Sequence, residues 1–205
     1  DEKLFHKTRI LNDLLVASET SILYNHDVDV VLPKNSVELA YTSIKDHGSD
    51  AVYPFGCGIY QWGVNYSDDL LDKFLSSFDG NTFDLDIVQK SSTRIPSSIG
   101  WGQMITKACE VSAGLWNEEF LSWGAEDCEF YYRLNLFGFK VGRVNDDIYH
   151  FEHGRTFNSH YHNPKFQEND ALWQYIRRLD RDKLMAYYSK LDYLKMRGEQ
   201  LNAGL

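Results

Sequence analysis

Three short stretches hold residue types that act together in chemistry. His26-Asp27-Val28-Asp29 closes a short apolar run. Side chains two apart on an extended chain share a face. Two carboxylates so close repel unless a cation or a proton lies between them, and hard oxygen ligands suit Mg²⁺ or Mn²⁺. Trp123-Gly124-Ala125-Glu126-Asp127-Cys128-Glu129 opens a helical pattern. Acids favour a helix's first turn for its positive dipole end alone, but three of them behind Trp123 and Gly124 exceed what a cap needs. A carboxylate held ionised there suits a general base. His150-Phe151-Glu152-His153-Gly154-Arg155 offers imidazole and carboxylate, an acceptable set for Mn²⁺. On a strand His150 and His153 point to opposite faces, so joint ligation needs a bend, which Gly154 permits. His160 and His162 read as loop residues or substrate contacts. A fourth stretch, Phe5-His6-Lys7-Thr8-Arg9, places Lys7 and Arg9 either to neutralise a diphosphate or as a solvated basic helix end.

The elements that must position these groups alternate between helix and short apolar strand, the pattern of an α/β layered domain. Apolar spacing predicts helices over 4–18, 35–46 (with Asn35 as N-cap) and 67–78. Strands are expected at 21–25 and 50–55, so that the first Asp-x-Asp follows a buried strand, where open α/β sheets bind ligands. Residues 79–99, rich in Ser, Thr, Asp and Gly, read as a long loop or lid. The segment 124–137 is a helix with an apolar stripe of Phe130, Leu134 and Phe137, stopped by Gly138. One or two short strands follow at 141–149, and Asn163-Pro164 opens a charged helical tail. Two parts are therefore expected: a catalytic domain at 1–163 and a C-terminal helical extension at 164–205.

The chain has 205 residues, 43% of them apolar and 15% aromatic, enough for one cored domain with a small extension. Its net charge is −9, from 21 basic and 30 acidic residues, which excludes the basic footprint of sequence-independent nucleic-acid binding. Cys57, Cys109 and Cys128 are too far apart for a metal cluster, and each is expected to be a buried, inert thiol. No apolar run approaches the roughly 20 residues of a membrane span. With no leader visible, the expected setting is cytoplasmic, possible at a membrane's periphery; a clipped secretory-pathway enzyme reads the same way.

In this order, the stretches resemble the catalytic domain of β-1,4-galactosyltransferases, and the related domains of chondroitin polymerase and polypeptide N-acetylgalactosaminyltransferases. The likeness runs from Phe5 to Asn158. Phe5 to Asn12 is similar to the helix before the metal strand, and Asp27-Val28-Asp29 to the DVD metal motif. Gly100-Trp101-Gly102 resembles the glycine-rich turn beside the donor sugar. Trp123 to Asp127 is similar to the WGGED signature, with Ala125 for its second glycine, and His150 to Arg155 to the closing metal segment. Residues 56–99 carry no likeness.

The resemblance implies a GT-A (nucleotide-diphospho-sugar transferase) fold, a mixed sheet flanked by helices. Such folds carry one further β-α-β unit before the Phe5 helix, so the sequence is expected to be a fragment or to lack part of its nucleotide pocket. It also implies a metal-dependent inverting glycosyltransferase moving a hexose-type sugar from a UDP-sugar to a glycan or glycoconjugate hydroxyl, with Mn²⁺ (or Mg²⁺). Asp127 would be the base. Asp29 would be the carboxylate ligand, with His153 or His150 as the metal histidine, depending on which relative is followed. Glu126, Trp123 and Gly124 would meet the acceptor; Trp101, Gly102 and Asp27 the donor; and Lys7, Arg9 and Arg155 the substrates' charge. Two other readings use the same residues: a nucleotidyltransferase or phosphotransferase, and a non-catalytic carbohydrate-binding remnant of the fold.

Overall fold

The computed structural model describes residues 4–96, 98–154, 156–159 and 161–203. The helices are α1 (Lys7–Ala17), α2 (Lys34–Lys45), α3 (Asp68–Ser76), α4 (Leu85–Gln89), α5 (Lys107–Ser112), α6 (Glu126–Phe137), α7 (Phe166–Ile176), α8 (Arg181–Tyr188) and α9 (Asp192–Ala203). The strands are β1 (Ile22–His26), β2 (Val30–Val31), β3 (Ala51–Tyr53), β4 (Gln61–Val64), β5 (Ser92–Arg94), β6 (Gly102–Thr106), β7 (Val141–Arg143) and β8 (Ile148–Phe151). The chain forms two compact units. One is Asp1–Leu23, Ile105–Lys140 and Arg155–Leu205; the other is Tyr24–Met104 and Val141–Gly154.

The strands form two four-stranded sheets, ordered β1-β6-β3-β7 and β2-β8-β4-β5. The second is mixed: β8 runs parallel to β4 and antiparallel to β2, while β5 is antiparallel to β4. With helices against them this is the α/β layering expected, in two small sheets instead of one. Val64, Phe74, Val88 and Tyr149 form the core where β4 and β8 meet α3 and α4. Serine, not asparagine, caps well here: the Ser67 hydroxyl accepts the Leu70 N–H at the start of α3. Asn35 lies inside α2, whose cap position is Pro33 with no side-chain cap hydrogen bond.

The loop expected at 79–99 is partly built. The Asp79 carboxylate accepts the N–H groups of Asn81 and Thr82, and Asp84 caps α4. Ile87 and Val88 then pack inward, and β5 joins the sheet edge beside β4. Polar composition hid these elements because its Asp and Ser side chains bond the local backbone.

In the other unit the tail is three helices, whose Ile176, Leu184, Tyr188 and Leu191 pack with Phe120. Phe130 and Leu134 of α6 are fully buried as expected, and Phe130 stacks on Trp116 at 4.2 Å. The same face also buries Arg133 and Glu129, an ion pair that the apolar stripe did not announce. Arg133 donates to both Glu129 oxygens at 2.8 and 3.1 Å, and to the carbonyls of Ala113 and Leu115. The Tyr188 hydroxyl completes the carboxylate at 2.6 Å. Breaking such a pair leaves a buried charge and costs about 3–5 kcal/mol.

Cys109 is buried, but Cys57 and Cys128 are exposed, against expectation. Cys128 sits off the inward face of α6 occupied by Glu126, Glu129 and Phe130, and Cys57 precedes a short 3-10 turn at Gly58–Tyr60. No described helix is long and apolar enough to cross a membrane.

Glu110 of α5 is 1% exposed, and its Oε2 has no hydrogen-bond partner. Burial pushes its carboxyl up to about 8, against the pull of Arg133. A carboxyl raised in the folded state adds stability below its unfolded value near 4.5, and loses it as pH climbs through about 8. Glu110→Gln, neutral at every pH, should therefore gain on the parent between pH 5 and 8 by on the order of a few kcal/mol. Urea midpoints at the two pH values measure the gain, and a constant difference between the proteins refutes it.

Candidate functional site

Two side-chain groups stand out, one in each unit. The first is built where β2 pairs with β8. Val30 lies opposite His150 and Val31 opposite Tyr149, and the Phe151 N–H donates to the Asp29 carbonyl at 2.8 Å. This pairing draws the β1–β2 turn to the end of β8. His153 Nε2 lies 2.9 Å and His150 Nε2 3.5 Å from the same Asp29 oxygen. One ligand atom from each of Asp29, His150 and His153 lies within 4.8 Å of the others. The opposite-faces problem does not arise, because β8 ends at Phe151 and His153 lies outside the strand.

Each member is held differently. The Trp101 ring stacks on His150 at 5.4 Å and 12°. His150 Nδ1 lies 3.1 Å from the Glu152 carboxylate. Burial lowers the affinity of His150 for a proton, but its contacts with Asp29 and Glu152 outweigh this and raise it. The Asp29 carboxyl is held below its usual range, first by contact with His150, against its own burial. His153 is more open, with Nδ1 3.0 Å from the Gly154 carbonyl. The Asp27 N–H donates to the Trp101 carbonyl at 3.1 Å, and Val28 between the two acids is fully exposed. Gly102 opens β6, and a Cβ there would make ordinary contact with His26 at 3.6 Å and with the Asn25 carbonyl and Tyr24 at 3.7 Å.

A carboxylate oxygen and two imidazole nitrogens this close are a donor set that could hold a divalent cation. Asp29 with His150 and His153 would be its ligands.

The second group lies at the start of α6. Lys7 Nζ is 3.1 Å from both Asp127 oxygens and 3.8 Å from Glu126. Lys7 is thus ion-paired at the head of α1, whereas Arg9 on the same helix is exposed. Glu126 is buried, and its Oε2 accepts the Gly124 N–H at 3.0 Å. Burial first, and then the neighbouring Asp127, push the Glu126 carboxyl up to about 7, against Lys7. Trp123 stacks on Phe166 at 5.4 Å, with Tyr161 edge-on to both rings. Arg155 and His160 lie outside the described residues.

Sequence reasoning missed Tyr161 and Phe166, and read Glu152 only as a carboxylate within the histidine segment. Glu152 had a readable signal, since it is two residues beyond His150 and shares its face. Tyr161 and Phe166 had none, because only the folded tail brings them to Trp123.

A family model described as the N-terminal domain of galactosyltransferase matches residues 106–156. That stretch is galactosyltransferase-like in sequence. It contains Trp123 to Asp127 and both histidines at 150 and 153. No curated protein matches the chain. Among solved structures, the catalytic domain of Drosophila β1,4-galactosyltransferase 7 in complex with xylobiose is similar at 14% identity and a TM-score of 0.46. The likeness covers 75% of this chain and 54% of that one, so the chain spans about half of its length.

The turn before α6 is strained. Ser122, Gly124 and Ala125 have φ of 64°, 134° and 66°, and Ala125 occupies the left-handed region where the WGGED signature has its second glycine. An L side chain costs roughly 1–2 kcal/mol there. Ala125→Gly should stabilise the protein by about 1 kcal/mol, since the strain relieved exceeds the added entropy of the unfolded chain. Thermal unfolding reads this as a higher Tm; an unchanged or lower Tm counts against the strain.

Proposed function

We propose that the chain is the catalytic part of a metal-dependent inverting glycosyltransferase, moving a hexose-type sugar from a UDP-sugar to a glycan or glycoconjugate hydroxyl. The observation that carries the reading is the assembly of Asp29, His150 and His153 around one point, inside a chain whose residues 106–156 are galactosyltransferase-like. In this reading residues 1–163 form the catalytic domain and 164–205 its helical extension.

Asp29, His150 and His153 would hold Mn²⁺ or Mg²⁺. A divalent ion bound there supplies neutralisation of charge on a departing nucleoside diphosphate. Asp27, Trp101 and Gly102 would line the donor side, with Arg9 and Arg155 meeting substrate charge. Trp123, Gly124 and Glu126 would meet the acceptor. Asp127 would take the proton of the acceptor hydroxyl as its oxygen bonds to the anomeric carbon and the bond from that carbon to the diphosphate breaks. Attack from the side opposite the leaving group inverts the anomeric configuration. Lys7 fixes the position of Asp127 through the two 3.1 Å contacts.

The test is a panel of UDP- and GDP-sugars with Mn²⁺ and glycan acceptors, read by the nucleoside diphosphate released and the product's linkage. The expected result is Mn²⁺-dependent UDP release with an inverted product. Pyrophosphate release or phosphate transfer would mark the nucleotidyltransferase or phosphotransferase chemistry, and sugar binding without turnover a carbohydrate-binding remnant. Asp127→Asn should lose about 10²–10⁴-fold in transfer while metal binding persists. Asp29→Ala should weaken Mn²⁺ binding by more than about tenfold in calorimetry. Near-normal transfer by the first variant, or an unchanged titration of the second, refutes the role assigned.

A further inference from the structure

We infer that Glu152 is the positioning carboxylate of the metal centre: it holds His150 with a proton on Nδ1, so that Nε2 is presented to the cation as a lone pair. The inference rests on the metal-centre reading above and assigns a role to a residue outside the ligand set.

The observations are geometric. His150 and Glu152 are two residues apart on an extended chain, hence on one face. Their contact is 3.1 Å, from Nδ1 to Oε1. The other ring nitrogen, Nε2, is the one nearest Asp29. An imidazole that ligates through Nε2 must carry its proton on Nδ1, and an acceptor beside Nδ1 selects that tautomer. His153 lacks a side-chain partner of this kind in its described contacts; its Nδ1 meets only the carbonyl of the next residue.

The surroundings of Glu152 are shaped to keep it there. The Glu152 N–H donates to the Val64 carbonyl at 3.1 Å, continuing the β4–β8 ladder past the end of β8. Gly63 lies opposite His150 in that ladder. A Cβ at Gly63 would stand 3.0 Å from Glu152 Oε1 and 2.8 Å from the Ile95 methyl. A side chain at 63 would therefore displace the carboxylate or Ile95, and glycine leaves its slot open. On the ring face, Trp101 stacks against His150 at 5.4 Å and 12°. The imidazole is thus fixed by a carboxylate at one nitrogen and an aromatic plane over its ring.

The test uses the whole protein and three variants: Glu152→Leu, Glu152→Gln and Asp29→Ala. Mn²⁺ affinity comes from calorimetry, and the tautomer of His150 from its ring ¹⁵N shifts at pH 8.5 without metal. Glu152→Leu should weaken Mn²⁺ binding about 10–100-fold and shift His150 from the Nδ1-protonated form towards a mixture. Glu152→Gln keeps an acceptor oxygen and should restore the tautomer and most of the affinity, a rescue that a purely structural role would not give. Parent-like affinity and unchanged His150 nitrogens in Glu152→Leu overturn the inference; if Asp29→Ala has meanwhile lost the metal, the metal centre itself stands. A parent protein that binds no Mn²⁺ overturns both together.

Discussion

The pairing of β2 with β8 decides whether this protein has a metal-type centre at all. Asp29 lies one residue before β2, and its carbonyl accepts the Phe151 N–H at 2.8 Å. Side chains alternate along a strand, so a slip of one residue in that ladder would turn His150 to the opposite face and carry its imidazole away from Asp29. The register is secured from the far side as well. β8 also lies parallel to β4, and Tyr149 is buried between them with Val64 and Phe74. The core under the sheet thus sets the position of polar groups above it. Hydrophobic burial supplies the energy, and parity converts it into the placement of His150 beside Asp29.

The other unit uses a harder constraint. Its α6 begins with three acids and a backbone turn in which Ser122 and Ala125 hold left-handed conformations. Such strain persists only where the surroundings over-determine it. Here those surroundings are buried bonds: the Asn163 side chain donates to the Ser122 hydroxyl, Asn169 donates to the carbonyls of Leu121 and Trp123, and Gly124 donates to Glu126. Two of these anchors belong to the C-terminal stretch. The tail is consequently part of what holds the acidic turn, and its sequence distance from the signature says nothing of its structural distance.

Much of this was legible before folding, for physical reasons that can be named. Periodicity exposed α3 and α6 because each has an apolar stripe, whereas α1 formed where expected but buries Thr8, Asn12 and Leu15 and leaves Ile10 and Leu14 exposed. β1 ends at charge as expected, but none of its residues is buried. Asp29, His150 and His153 each stood in a stretch singled out by residue type, and the pairing of β2 with β8 brings them together. Less visible were elements whose polar residues bond the local backbone, as at Asp79 and Asp84, and which therefore look like loop. The pair Arg133 and Glu129 was invisible, since i,i+4 charges are the usual signature of a wet helix face. Burial reversed that reading, as Tyr188 and two carbonyls replaced water. Cys57 and Cys128 failed the other way, because thiol burial is a statistical habit and not a requirement.

The adjacent acids Glu126 and Asp127 show how one sequence motif yields two chemically distinct groups. Both start α6, and both feel its positive end. Yet Glu126 turns inward, where burial pushes its carboxyl up to about 7, while Asp127 faces the Lys7 ammonium at 3.1 Å. Two neighbouring carboxylates cannot both be ionised cheaply in a place shielded from water. The counter-charge lies closer to one and the burial falls on the other. Lys7, 120 residues upstream, makes this division, so the basic residue at the head of α1 is as much a part of the acidic motif as the acids themselves.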